Sequence, residues 1–169
     1  MTVLETERLL LSRLSYDDCE FILELVNEPT FKQFIGDKNV KSLEDARRYL
    51  REGPIRLYDS FGYGLFLVSL QGAETPAGIC GLVKREEFDD PDIGFAFLKR
   101  YQENGYASES AEAVLAHGFE VLKLRRIIAI ADPDNEPSIR LLERLGFVNE
   151  RKVRMPEDDH DIDLFSIET

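Results

Sequence analysis

The chain has 169 residues, with 33 acidic against 21 basic side chains, a formal net charge of −12 and 43% hydrophobic residues. That length suits one hydrophobic core in a single domain over 1–169, and no stretch approaches the roughly 18 apolar residues of a membrane span. The acidic balance argues against a nucleic-acid partner, whose phosphates demand a basic footprint, and fits either a cationic partner or plain solubility. The opening MTVLETERLLL lacks the basic leader and small-residue cleavage site of a signal peptide, so a cytoplasmic location is expected. Cys19 and Cys80 have neither C-x-x-C spacing nor a nearby His, and are expected to be reduced and structural.

Residues 8–14, RLLLSRL, form the first expected strand. Ser15-x-x-Asp18 reads as a capping box for a helix near 17–27, with Phe21, Ile22, Leu25 and Val26 on one face. Glu28-Pro29 ends that helix, and TFKQFIG follows as a partial helix or loop. Ser42 opens a second helix, expected to stop at Gly53-Pro54. From Gly62 the pattern turns to strands: YGLFLVSL, AGICGLVK and IGFAFL, an antiparallel meander whose Gly78 and Gly81 point to a bulge or a close backbone approach. An amphipathic helix spans Ala107 to about Leu122, with Ala111, Val114, Leu115, Gly118, Phe119 and Leu122 on one face. The strand RIIAIA then completes a parallel strand-helix-strand unit. A helix from about Asn135 to the cap residue Gly146 follows, and two alternating strands, 148–154 and 161–166, close the chain. The fold class expected is α+β: a mixed, mostly antiparallel sheet of six or seven strands with a central parallel pair, flanked by about four helices.

The stretch IGFAFLKRYQENGYASES carries the first chemistry. A strand that turns through Gly105 into a helix start aims several unpaired amides, and the positive end of the helix dipole, at one point, where an anion fits. A second segment, LRRIIAIADPDNEPSIRLLERLGF, repeats the strand-turn-helix plan through Asp-Pro-Asp-Asn. The parallel strands ending at Leu98 and Ala131 place their carboxyl ends side by side, where open α/β sheets tend to bind ligands.

On the paired QENGYASE and DPDNEPSIRLLERLGF, and on the frame from ETERLLLSRL to DIDLFSI, the chain resembles the GCN5-related N-acetyltransferase (GNAT) superfamily, in the branch similar to ribosomal-protein N-terminal acetyltransferases. That resemblance implies an acetyl-CoA-dependent transferase that passes an acetyl group to a primary amine by direct attack in a ternary complex. The family's phosphate loop matches Gln102, Gly105 and Ala107; Glu103 stands where many members carry a Gly, and is expected to face solvent. The diphosphate of acetyl-CoA would lie on the amides of Asn104, Gly105, Tyr106 and Ala107, with Ser108 adjoining. Main-chain groups of Phe95, Ala96 and Phe97 would hold the pantetheine arm, one of them stabilising the thioester oxygen.

Asn135 would bond near the pantetheine by resemblance, or cap the last helix. Arg140 would reach a CoA phosphate or pair with Glu136 four residues earlier. Many superfamily members place a Tyr acid where this chain has Leu142. Ser138, earlier in the same helix, matches the acid proposed in the ribosomal branch, and Glu157 matches its proposed base. Each also has a bland reading, Ser138 as a helix-start residue and Glu157 as part of a solvated turn, PEDDHD. One His among those carboxylates has no metal-ligand spacing, so no metal is expected, and His117 reads as a packed or surface residue.

The acceptor is expected to be a protein or peptide N-terminus, on a basic partner given the chain's charge. The alternatives are a small cationic amine, such as a polyamine or aminoglycoside, and a non-catalytic acyl-CoA-binding module. Segments 28–40 and 155–161, expected to line the acceptor site, carry no motif that names it, and no motif announces an oligomeric state.

Overall fold

Ahead of its first expected strand the chain already runs as a strand, β1 (Thr2–Glu5), which turns back on β2 (Leu9–Arg13). The structure, a computed structural model, describes residues 2–169. The capping box forms as the sequence predicts. The Ser15 amide donates to the Asp18 carboxylate at 2.8 Å, and the Ser15 hydroxyl accepts from the Asp17 amide at 3.2 Å. A 3-10 turn leads from there into α1 (Cys19–Val26), which buries Phe21, Ile22, Leu25 and Val26. TFKQFIG contributes most of α2 (Pro29–Phe34), with Pro29 in the first position, where a missing amide costs nothing.

Ser42 caps α3 (Leu43–Leu50), accepting from the Asp45 amide at 3.1 Å. The expected stop at Gly53-Pro54 is overturned. A π-helical turn over Arg51–Ile55 carries the chain through Pro54 into α4 (Arg56–Phe61), which ends on Gly62 at φ 74°. A π turn widens the coil, so the carbonyl four residues back no longer crowds the proline ring.

The meander follows as β3 (Leu65–Leu70), β4 (Thr75–Val83) and β5 (Asp92–Phe97), each pair antiparallel. The close approach expected at the β4 glycines is real: a Cβ on Gly81 would lie 2.1 Å from the Gly64 carbonyl, and one on Gly78 would lie 2.5 Å from that of Ala96. Next come α5 (Tyr106–Glu120), β6 (Arg126–Ala131), α6 (Glu136–Leu145), β7 (Val148–Val153) and β8 (Ile162–Glu168). The sheet order is β1-β2-β3-β4-β5-β6-β8-β7, eight strands among the described residues rather than six or seven, with β5 and β6 the parallel pair. The closing strands do not alternate as expected. β8 lies inside the sheet and is buried residue after residue, whereas β7 is an edge strand exposed along nearly its whole length.

Apolar side chains fill both sides of the sheet. Val114 and Leu115 of α5 and Leu142 of α6 pack with Ile127, Ile93, Phe97 and Phe165 on one side. Ile22 and Leu25 of α1 and Leu50 of α3 pack with Leu67, Ile79 and Leu98 on the other. β5 divides its residues between them, Phe95 and Phe97 toward α5 and Ala96 toward α1 and α3.

Candidate active site

The parallel pair is joined at one register point, Asp92 opposite Ile128, with the Ile128 amide donating to the Pro91 carbonyl at 2.9 Å. Beyond it β5 stays with β4, and β6 pairs along its length with β8, so a gap opens between them. The Leu98 amide donates to Ala77 at 2.9 Å, in register with the β4–β5 ladder. By antiparallel alternation Asp92, Gly94 and Ala96 spend their main-chain groups on β4, while Ile93, Phe95 and Phe97 turn theirs into the gap. The Phe97 carbonyl is taken by the Gln102 side-chain amide at 3.0 Å. The amides of Phe95 and Phe97 and the Phe95 carbonyl are left facing the gap.

At the mouth of the gap the chain leaves β5 through a 3-10 turn, Lys99–Tyr101, into the loop that starts α5. Gly105, at φ 80°, is the N-cap of that helix, and no side chain caps it. The first amide committed within the helix is that of Glu109, which donates to the Gly105 carbonyl at 3.0 Å. Those of Tyr106, Ala107 and Ser108 point outward with the helix dipole behind them, the arrangement that receives an anion. Asn104 closes the loop on itself, its side chain donating to the Gln102 carbonyl at 2.9 Å. Glu103 is exposed at φ 65°, the solvent-facing placement expected of it.

Sequence reasoning missed a brace on this loop. The Arg8 guanidinium donates to the Asn104 carbonyl at 2.9 Å and to the Glu109 carboxylate at 2.7 Å, and lies over the Tyr106 ring at 4.6 Å. The Arg8 amide and the Thr6 hydroxyl also donate to Glu109. Partial burial opposes the charge on Glu109, yet these hydrogen bonds hold its pKa below the ordinary carboxylate value. The signal lay in the opening TER, but its partner stands 101 residues away and only the fold joins them.

Across the gap, Asn135 is the N-cap of α6, its side-chain oxygen accepting from the Ser138 amide at 3.4 Å. The capping role is therefore filled, and the Asn135 side-chain NH2 stays available. Ser138 is half-buried in the first turn of α6, and its hydroxyl has no hydrogen-bond partner among the described residues. Leu142, 1% exposed, belongs to the core. Arg140 lies 3.7 Å from Glu136 with both side chains largely exposed, which is the pairing expected on the helix surface.

At the closed end of the gap, where β5 joins β6, charged side chains from separate loops act on one another. Arg85, just after β4, donates to Asp92 at 2.6 Å; Asp92 is 2% exposed and its other oxygen is buried without a partner among the described residues. Burial pushes the Asp92 pKa up to about 6 against the pull of Arg85. Desolvation lowers the Lys38 pKa although the residue as a whole reaches solvent; Arg85 adds to that lowering and Glu157 opposes it. Glu157, exposed in the β7–β8 turn, also raises the Arg85 pKa. Segments 28–40 and 155–161 thus meet electrostatically, over an Arg85–Asp92 pair that the sequence did not announce.

His160 ties the same turn to the end of β6. Its ring nitrogens lie 2.6 Å from Asp159 and 2.7 Å from Asp132, and these bonds raise its pKa to about 9. His117 is packed edge-on against Phe66, and burial lowers its pKa. Two surface depressions are present, one beside α4 along Arg56, Phe61 and Arg85, the other at the start of β6 along Asp90, Arg126 and Arg151.

Comparison with known proteins gives this geometry a family. The family model of the acetyltransferase (GNAT) domain matches residues 8–148. The chain belongs to the GNAT acetyltransferase family. The GNAT relative YnaD of Bacillus subtilis, an uncharacterized N-acetyltransferase, is 30% identical over 145 residues, which span 86% of this chain and 82% of that protein. The solved structure of RimL, a ribosomal L7/L12 α-N-protein acetyltransferase in complex with coenzyme A, shares the fold with a TM-score of 0.86 at 21% identity, over 99% of this chain and 98% of that one. Spermidine N(1)-acetyltransferase of Escherichia coli is 32% identical over 88 residues, 48% of this chain and 44% of that enzyme. This GNAT protein is an acetyl-CoA-dependent N-acetyltransferase. Open main-chain groups along β5 and an uncapped helix start at the gap's mouth fit a donor with an amide-bearing arm and a diphosphate.

Proposed function

We propose that this GNAT protein acetylates the N-terminus of a protein or peptide, with donor and acceptor bound together. The observation that carries the reading is the single-point pairing of β5 and β6, which leaves main-chain groups of Phe95 and Phe97 open beside the free amides of Tyr106, Ala107 and Ser108. Bound acetyl-CoA supplies the activated acyl group. Phe95 and Phe97 pair with its arm, and the Phe95 amide donates to the carbonyl oxygen as charge gathers there. Gln102 serves the site indirectly, by holding the loop against β5. Asn104 closes that loop, Gly105 lets it turn, and Ala96 positions the strand from its other face.

The Ser138 hydroxyl, unbonded among the described residues, is placed to return a proton to the departing thiolate. Glu157 takes the proton from the incoming amine, directly or through water, as a general base. Asn135, held as the helix cap, orients Ser138. Arg140 plays a peripheral part, near the phosphates or simply on the helix surface.

The peptide acceptor is supported by the likeness to RimL. The partial identity with spermidine N(1)-acetyltransferase favours a second reading, a small polyamine acceptor. Following thiol release from acetyl-CoA with a panel of peptides, spermidine and an aminoglycoside separates the two. Turnover on peptides with free N-termini and none on spermidine is the expected result. Turnover on spermidine alone reverses the acceptor assignment, and coenzyme A binding without turnover on any amine removes the catalytic one.

A further inference from the structure

Arg8 lies about a hundred residues before the 102–108 loop, yet its side chain touches both Asn104 and Tyr106 of that loop. One nitrogen of its guanidinium holds the Asn104 carbonyl at 2.9 Å and another holds Glu109 at 2.7 Å, while the plane covers the Tyr106 ring. The third, Nη2, has no hydrogen-bond partner among the described residues and lies 3.2 Å from where a Cβ on Gly105 would stand. The guanidinium thus spans residues 104–106 and the first turn of α5.

The brace has an evident physical purpose. Gly105 and Glu103 both hold positive φ, which for Glu103 is a conformation that surrounding structure must enforce. Arg8, ion-paired with Glu109, supplies the hold that the conformation needs. Thr6 and the Arg8 amide fix Glu109 in turn, so Glu109 anchors the arginine to the helix it braces.

We infer that Arg8 is a positioning residue of the donor site, holding the 102–105 loop in its anion-receiving form through the Asn104 carbonyl and the Tyr106 ring. This rests on the acetyl-CoA reading above. The test is equilibrium binding of coenzyme A, and separately of pantetheine, which lacks the diphosphate, to the full chain and to its Arg8→Ala, Arg8→Lys and Glu109→Gln variants. Melting temperatures and amide hydrogen exchange of residues 103–107 without ligand accompany it.

Loss of one charge-assisted contact corresponds to about tenfold or more in affinity. Arg8→Ala is therefore expected to weaken coenzyme A by that factor, to leave pantetheine within about twofold, and to speed exchange in the loop. Arg8→Lys, which keeps the charge but not the fork, should recover part of the affinity, and Glu109→Gln should show a smaller loss of the same kind. Coenzyme A affinity within about twofold of the parent in Arg8→Ala overturns the inference. Equal losses for coenzyme A and pantetheine with a lowered melting temperature also overturn it, because they mark a general structural role. If the parent protein binds no coenzyme A, the acetyl-CoA reading fails instead, and faster exchange in Arg8→Ala still decides whether Arg8 holds the loop.

Discussion

The two ends of the β5–β6 gap are built from different materials. At the donor end the ligand-facing groups are main-chain amides and carbonyls of Phe95, Phe97 and Tyr106 to Ser108, set by strand register and by one glycine turn. At the proposed acceptor end they are side chains: Arg85 over the buried Asp92, with the charges of Lys38 and Glu157 acting on it from two other loops. A main-chain site tolerates sequence change so long as the fold persists, whereas a side-chain site changes its specificity with each substitution. The fold is shared with the GNAT family.

Substitutions at the two ends should therefore separate. The largest effects belong to the chemical step. Ser138→Ala and Glu157→Gln should each lower kcat by about a hundredfold, the lower range for loss of an acid or base, with coenzyme A affinity unchanged in a binding titration. If either weakens coenzyme A as much as it slows turnover, the two ends are not distinct. Gly105→Val comes next. A β-branched residue in the left-handed region costs about 1–3 kcal/mol, and its Cβ meets Arg8 at 3.2 Å. Coenzyme A affinity should fall by roughly ten- to a hundredfold, while the KM for the acceptor stays the same.

Smaller effects test the charged end. Asp92 titrates at about 6 in the folded chain against an ordinary 3.8 for a solvated aspartate, so the native protein holds an extra proton between those values. Stability should fall as pH rises through that window, and Asp92→Asn should remove the slope in denaturant midpoints. A stability that rises with pH there in the parent, attributable to Asp92, contradicts the burial assigned to it. His160 has the smallest effect, being exposed. Its pKa is raised from 6.5 to about 9, so its contribution is complete below 6.5 and is lost as pH climbs through about 9. His160→Gln should flatten that decline, read as thermal melting against pH.

Much of this plan is legible in the sequence wherever the determinants are contiguous. IGFAFLKRYQENGYASES and LRRIIAIADPDNEPSIRLLERLGF write strand, turn and helix start in adjacent residues, and so specify β5, α5, β6 and α6 with their junctions. The capping residues Ser15, Ser42 and Gly146 mark their helix ends for the same reason. The features that escaped depend on partners distant in sequence or on backbone adjustments without a residue signature. Arg8 gains its role from Glu109, and Asp92 from Arg85 and the burial around it. Pro54 reads as a helix stop because its rescue by a π turn comes from geometry, not composition. TVLE is too short and too mixed to announce β1, which forms because Leu9–Arg13 offers it an edge.

The central claim is that the gap beside β5, and not another surface, receives the donor. Amide hydrogen exchange on the full chain, with and without coenzyme A, tests it most directly. Slowed exchange at Phe95, Phe97 and Tyr106–Ser108, with the β7–β8 turn around Glu157 unchanged, is the result this account predicts. Protection absent from β5 and the α5 start, and found instead along the β7–β8 turn or either surface depression, would contradict it.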